Sequence, residues 1–191
     1  RPEPRPALLW FDDRFVEVTT TDPALRQPRE ESLQAVQQDT RLKTESLLVQ
    51  YLLPAGFRKV RARSEPGELL IAAVDEDHNW AYVDLYMVSW KKVMKEGKRY
   101  VAPKEHAAKN LKEWAPATKV APARLPLGKM STWGYQGVEG MADGYPGTES
   151  FMIADQDRWR IECRVRTCAE GHKVFAAGIE AFLKSLKFER E

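Results

Sequence analysis

The stretch from Trp80 to Trp90 constrains the fold more than any other part of the chain. Ala81, Val83, Leu85 and Met87 alternate with Trp80, Tyr82, Tyr86, Val88 and Trp90, and side chains two apart share one face of a strand. Both faces are apolar, with Asp84 the lone charge in the aromatic row. Such a strand is covered on both sides, or lends one side to a partner. The rest of the chain must supply the layers.

Arg158 to Thr167 alternates as cleanly, with Trp159, Ile161, Cys163 and Val165 expected inward and Arg158, Arg160, Glu162, Arg164 and Arg166 outward. Four guanidinium groups along one strand face repel unless carboxylates or a ligand answer them. Two readings follow: a solvated face neutralised by acidic cross-strand neighbours, or a surface gripping an acidic partner. The row Trp80, Tyr82, Tyr86 and Trp90, with Asp84 inside it, has a similar pair of readings. It is core beneath a helix, or a binding surface rich in the residue types that dominate interface energies.

Further strands are expected at Arg14 to Thr20, Leu47 to Leu53, Arg58 to Arg63, Leu69 to Val74, Gly128 to Val138 and Thr148 to Ala154. Pro28 with Glu30 and Glu31 predicts a helix start, and Leu33, Val36 and Thr40 give it one narrow face as far as about Leu42. Pro103 to Trp114 is a second helix, with Ala107, Leu111 and Trp114 inward. Phe175, Ile179, Phe182 and Leu186 form the strongest helical stripe, with Lys184, Lys187 and Arg190 toward its end. The prolines of Ala115 to Pro126 predict an extended connector, and the glycines of Gly137 to Gly147 predict a long irregular loop of the kind that often carries function. This order of elements predicts an α+β fold, a central antiparallel sheet flanked by helices. Its divisions are an extended tether over residues 1–6, a strand and helix over 7–46, and a main unit over 47–191 on which they pack.

Charge and chain start bear on partners and compartment. Thirty Lys and Arg against 28 Asp and Glu leave +2, too even a balance to make nucleic acid or an anionic membrane an obligatory partner. No apolar run approaches the roughly 18–20 residues of a membrane span. The chain starts at Arg1 with alternating prolines, which suits the mature form of an exported, periplasmic or secreted protein; a chain trimmed for other reasons would begin the same way.

Chemistry-bearing residues are sparse. Cys163 and Cys168 close a disulfide only if the strand turns between them, since five extended residues span roughly 16 Å against the 7 Å limit. Two separate thiols are the other reading. Asp75-Glu76-Asp77-His78-Asn79 opens like a calcium loop, but Trp80 stands where glycine is needed and Tyr86 where the bidentate glutamate belongs, so a solvated hairpin is preferred. His78, His106 and His172 are too scattered to specify a site. No nucleophile elbow or phosphate-binding loop is present, so no cofactor, metal or catalytic residue is assigned.

One family resemblance rests on particular segments. Tyr51-Leu-Leu-Pro54-Ala-Gly56-Phe57, the hairpins through Leu70 and Val83, Gly128-Lys-Met-Ser-Thr-Trp-Gly-Tyr135, Trp159-Arg-Ile-Glu-Cys163 and Phe182-Leu-Lys-Ser-Leu-Lys-Phe188 resemble the PsbP-like superfamily over about residues 47–188. The resemblance implies a small exported domain with an antiparallel sheet between helices, whose members mostly bind proteins. It implies no active-site residue. The expected function is a non-enzymatic exported domain that binds another protein, of acidic character if the arginine face is used. A periplasmic immunity protein neutralising a secreted toxin is a particular form of it. The rivals are a hydrolase using carboxylates such as Asp84, Glu139 and Asp143, and a carrier of small apolar or aromatic ligands.

Overall fold

The computed structural model describes residues 6–11, 14–19, 28–38, 44–60, 67–89, 99–142 and 145–190. Arg1 to Arg5, Trp90 and Asp143 lie outside them. Among the described residues, twelve strands and three helices form an α+β fold in which every strand pairing is antiparallel. The strands are β1 (Pro6–Phe11), β2 (Arg14–Thr19), β3 (Arg29–Gln38), β4 (Thr44–Leu53), β5 (Arg58–Lys59), β6 (Glu68–Val74) and β7 (Trp80–Ser89). After helix α1 (Pro103–Trp114) come β8 (Ala123–Leu127), β9 (Met130–Ala142), β10 (Tyr145–Gln156) and β11 (Trp159–Cys168). Helices α2 (Gly171–Val174) and α3 (Ala176–Ser185) precede β12 (Lys187–Arg190).

The main sheet runs β5-β6-β7-β11-β10-β9-β8, so the two strands with the clearest alternation, β7 and β11, lie side by side near its middle. On its inner face, Ala81, Val83, Leu85 and Met87 of β7 meet Ile161, Cys163 and Val165 of β11. A second sheet, β12-β4-β3, closes over them with Leu47, Val49, Tyr51 and Leu53, and Phe182 and Leu186 of the C-terminal segment complete the layer. Burying each such aliphatic side chain contributes about 1.5–3 kcal/mol. The outer face is shared. Ala107, Leu111 and Trp114 of α1 cover Tyr135, Val138, Phe151 and Ile153. Leu70, Ala72, Val74 and Tyr82 form a smaller cluster farther along.

Four expectations change. The segment expected to be a helix from Pro28 to Leu42 is instead strand β3 over Arg29–Gln38, paired with β4 along its whole length. Its helical stripe was narrow, and ten residues of β4 offered a ladder that outweighs a weak propensity. Glu31 then joins three strands: its carboxylate accepts from the Tyr51 hydroxyl at 2.9 Å and pairs with Lys59 at 2.7 Å. Burial pushes the Glu31 carboxyl up, but the Lys59 and Tyr51 hydrogen bonds and the Lys59 and Arg29 charges together hold it below its usual range. The proline-rich connector ends as an edge strand, β8, where Pro126 needs no ladder donor on its outer side. The C-terminal stripe breaks after α3, and Lys187–Arg190 leave the helix to pair with β4.

The glycine-rich segment departs furthest from expectation. Instead of an irregular loop, it is the far half of the β9–β10 hairpin, with Gly140 directly opposite Gly147. A Cβ on Gly140 would fall 2.6 Å from the Trp114 indole, and one on Gly147 would fall 2.8 Å from the Thr167 carbonyl oxygen and 3.8 Å from the indole. The two glycines form a bare floor on which Trp114 lies, its Nε1 donating to the Val138 carbonyl at 2.8 Å. Nearer the sheet centre, Gln136 and Gly137 together oppose Ser150, a bulge with Gly137 at φ +61°. The Gly137 N–H is drawn to the Ser150 hydroxyl at 2.9 Å.

Candidate functional site

The arginines of β11 do not face solvent as a row, because α1 lies across the face expected to be outward. Arg160 is 6% exposed, its Nε donating to Asp155 at 2.9 Å and its Nη2 to the Val101 carbonyl oxygen. Asp155 stands directly across from it on β10. Arg166 Nε donates at 2.7 Å to Glu149, again its cross-strand partner, and Arg164 Nε lies 3.3 Å from the same carboxylate oxygen. Arg158 is exposed at the turn before β11. The cross-strand carboxylates follow the neutralising alternative, with burial in place of solvation.

Glu149 is the hub of this layer and is fully buried. The Tyr135 hydroxyl donates to its Oε2 at 2.5 Å and accepts from Asn110 Nδ2 at 2.7 Å. Arg164 Nη2 donates to Asn110 Oδ1 at 2.7 Å, closing a ring of four side chains through α1, β9, β10 and β11. Arg166 also lies 4.9 Å from the Trp114 ring. Burial, and then the Glu149 charge beside it, push the Tyr135 phenol well above its ordinary value. It therefore stays protonated and serves as a donor. The sequence carried a signal for Glu149, the lone charge in the otherwise neutral run Thr148 to Ala154 and placed to oppose the arginines. Tyr135 and Asn110 carried none.

The aromatic row is only partly at the surface. Tyr82 is 5% exposed, stacks on Trp80 at 6.0 Å and packs among Leu70, Ala72 and Val74. Trp80, Asp84 and Tyr86 are half-buried, and Trp90 lies outside the described residues. The disulfide expected as one alternative for Cys163 and Cys168 is corrected: both thiols are free. Strand β11 runs unbroken between them, so no reversal brings them together. Burial, with the Asp84 charge added, pushes the Cys163 thiol well above its usual range.

The carboxylates of the hydrolase alternative do not converge. Asp84 on β7 and Glu139 on β9 are three strand spacings apart, about 14 Å, and alternation puts them on opposite faces. Asp143 lies outside the described residues. In the acidic hairpin, Asp75 Oδ1 accepts from the backbone of Asp77 and Asn79, so the turn itself uses that carboxylate. Among the described residues no three His, Cys, Asp or Glu side chains stand close enough to hold a metal, and no helix is long and apolar enough to cross a membrane.

A groove of about 430 Å³ runs along the inner face between α3 and the β8-β9-β10 end of the main sheet. Its floor and inner wall are Leu125, Met152, Val165, Ile179 and Leu183. Its length follows α3 from Ala176 to Lys184, about 12 Å at helical rise. At one end the β8–β9 turn is fastened to the helix by the Gly128 N–H donating to Leu183 O at 2.8 Å. At the other end the His172 ring lies over Gly137, 3.4 Å from the position a Cβ would take there. The bulge at Gly137 therefore shapes the groove wall. Gln136, Ser150 and the Glu180–Lys184 pair, 2.6 Å apart, complete a rim with no net charge at neutral pH. Of these residues only Gly137 belonged to a segment expected to carry function, because the others come together only when the C-terminal helix lies back across the sheet.

No family model matches the chain, and no curated protein matches it. Among solved structures it is similar to a crystal structure from Bacteroides thetaiotaomicron, at 14% identity and a TM-score of 0.48 over 75% of this chain and 46% of that one. The chain thus spans less than half the length of that protein.

Proposed function

We propose that this is a non-enzymatic domain that binds another protein, working in the periplasm or outside the cell and built on a PsbP-like plan. The groove beside α3 is the observation that carries the reading. Its apolar floor with a charge-neutral rim suits apolar anchor side chains of a partner, and such anchors in pockets supply most of the energy of a protein interface. The ionic layer beneath α1 supports the same reading from the other side. Glu149, Tyr135, Asn110 and Arg164 are linked in turn by hydrogen bonds and closed by the Arg164–Glu149 ion pair, an arrangement suited to holding a helix. A domain that neutralises a secreted toxin is one form of this function.

Ala176→Trp tests the proposal, because Ala176 is exposed, lines the groove and lies outside the core. The wild-type protein should recover a stoichiometric partner from the native cell envelope or secreted fraction, and the variant should lose it while keeping its denaturation curve. Turnover of a small substrate without any partner would favour the hydrolase instead. A partner held equally by both proteins would move the site away from the groove.

A further inference from the structure

We propose that Trp133, flanked by Lys104 and Arg124, is a second contact surface and that it docks an acidic segment of a partner protein. This rests on the reading of the domain as a protein binder, but it uses the outer face of the sheet, away from the groove. Trp133 lies on β9 opposite Arg124 of the edge strand β8, and the first turn of α1 brings Lys104 over it. Lys104 Nζ is 4.7 Å and Arg124 Cζ 5.0 Å from the centre of the indole ring. Both cations are exposed and Trp133 is half-buried, so the ring is a fixed platform and the charges remain reachable.

These cations differ from those that the fold pairs with carboxylates. Arg160, Arg164, Arg166, Lys59 and Lys184 each face a carboxylate. Among the described residues, Lys104 and Arg124 make no ion pair. The chain explains why. Residues three and four along the helix from Lys104 are Ala107 and Ala108, and the strand neighbours two away from Arg124 are Pro122 and Pro126. Arg124 Nε donates to the Ser131 hydroxyl at 3.0 Å, which steadies the guanidinium and leaves its other donors for a ligand.

The chemistry of the occupant follows. Carboxylates are gripped in pairs by the planar fork of an arginine and singly by an ammonium, and the aliphatic stems of Asp and Glu can rest on the indole. Tryptophan and arginine are the residue types most enriched among energetically dominant contacts. An extended polyanion is a poor fit, because the whole chain carries only +2 and the clamp is a single point with no basic run continuing it.

The test is a titration of isotope-labelled protein with an acetylated Asp/Glu decapeptide and its Asn/Gln counterpart, followed by NMR. The Trp133 indole N–H signal, identified by its disappearance in Trp133→Phe, should shift with the acidic peptide alone. Raising salt from about 0.02 to about 0.3 M should weaken the binding. The double variant K104E/R124E should weaken it by about tenfold or more, whereas K119E/K129E, the same charge change at other exposed positions, should leave it near wild type. Equal loss in the two doubles, binding of the neutral peptide, or an unmoved indole signal would overturn the proposal. Preferential binding to phosphatidylglycerol vesicles would overturn it too and assign the clamp to a membrane. If Ala176→Trp loses a native partner that K104E/R124E keeps, this inference falls and the binding reading stands. If no native partner exists, the binding reading falls, and this inference falls with it.

Discussion

The two faces of the main sheet are held by different physics, although both are well buried. The inner face is a layer of aliphatic and aromatic side chains in which Ile71, Val83, Leu85, Met87, Ile161 and Cys163 are fully sealed. The outer face beneath α1 holds a buried carboxylate, a phenol and two guanidinium groups, joined by hydrogen bonds and by the Arg164–Glu149 ion pair. Stability on the inner face scales with area and tolerates a missing methyl group. On the outer face it depends on pairing, where removing one member leaves the others desolvated and unanswered. A hydrophobic face closes a fold; a paired one also fixes which residue sits opposite which.

Several substitutions break or sharpen this contrast. Glu149→Gln changes almost no volume, so it would be silent if area governed the outer face. It should instead cost about 3–5 kcal/mol in urea denaturation, because Arg164 and Arg166 lose their common anion under α1. Gly140→Ala should cost about 1–3 kcal/mol by lifting Trp114 from its floor, and should shift the tryptophan emission along with the denaturation midpoint. Ile161→Val on the inner face should cost only about 0.5–1.5 kcal/mol with no spectral change. A result in which Ile161→Val exceeds Glu149→Gln would erase the distinction.

The smallest expected effect is a pH dependence confined to the outer face. His106 stacks on Phe151 at 5.8 Å with its Nε2 3.5 Å from Glu162. Burial lowers the proton affinity of its imidazole; Glu162 opposes this, while Arg160, Arg164 and Lys109 reinforce it. The unfolded chain, with its histidine near 6.5, thus binds the proton more readily than the native state. Stability present at neutral pH should decline as pH falls through 6.5 and level off once below the native value. His106→Gln should flatten that part of the profile. The Glu31 contribution is lost only at lower pH, below 4.5, and so leaves this window undisturbed.

The alternation of Trp80 to Ser89 and of Trp159 to Thr167 made the two central strands and their inward residues readable from the chain, because a buried strand records its neighbours in its own period. The helix at Pro103–Trp114 was equally legible. Strand β3 was not, since Leu33 and Val36 suit a weak helix as well as a strand, and only its pairing with β4 decides between them. The ionic layer was half legible. The arginine row announced a need for carboxylates, but the side on which α1 would lie is a tertiary fact. The groove and the Trp133 clamp left no local trace, because each joins residues brought together only by the closing of the sheet.

The extra residue at Gly137 works like a frame shift in the geometry of the hairpin. Before it, Trp133 and Tyr135 point toward α1; beyond it, Val138 and Gly140 do so, three and five positions after Tyr135. If the strand instead ran through Gly137 without the bulge, strict two-residue alternation would turn the outer half of β9 over. Trp114 would then meet the side chains now directed at the opposite side, Glu139 and Met141 among them, and Gly140 would face away from it. The parity of a single position thus decides whether the helix has a place to land.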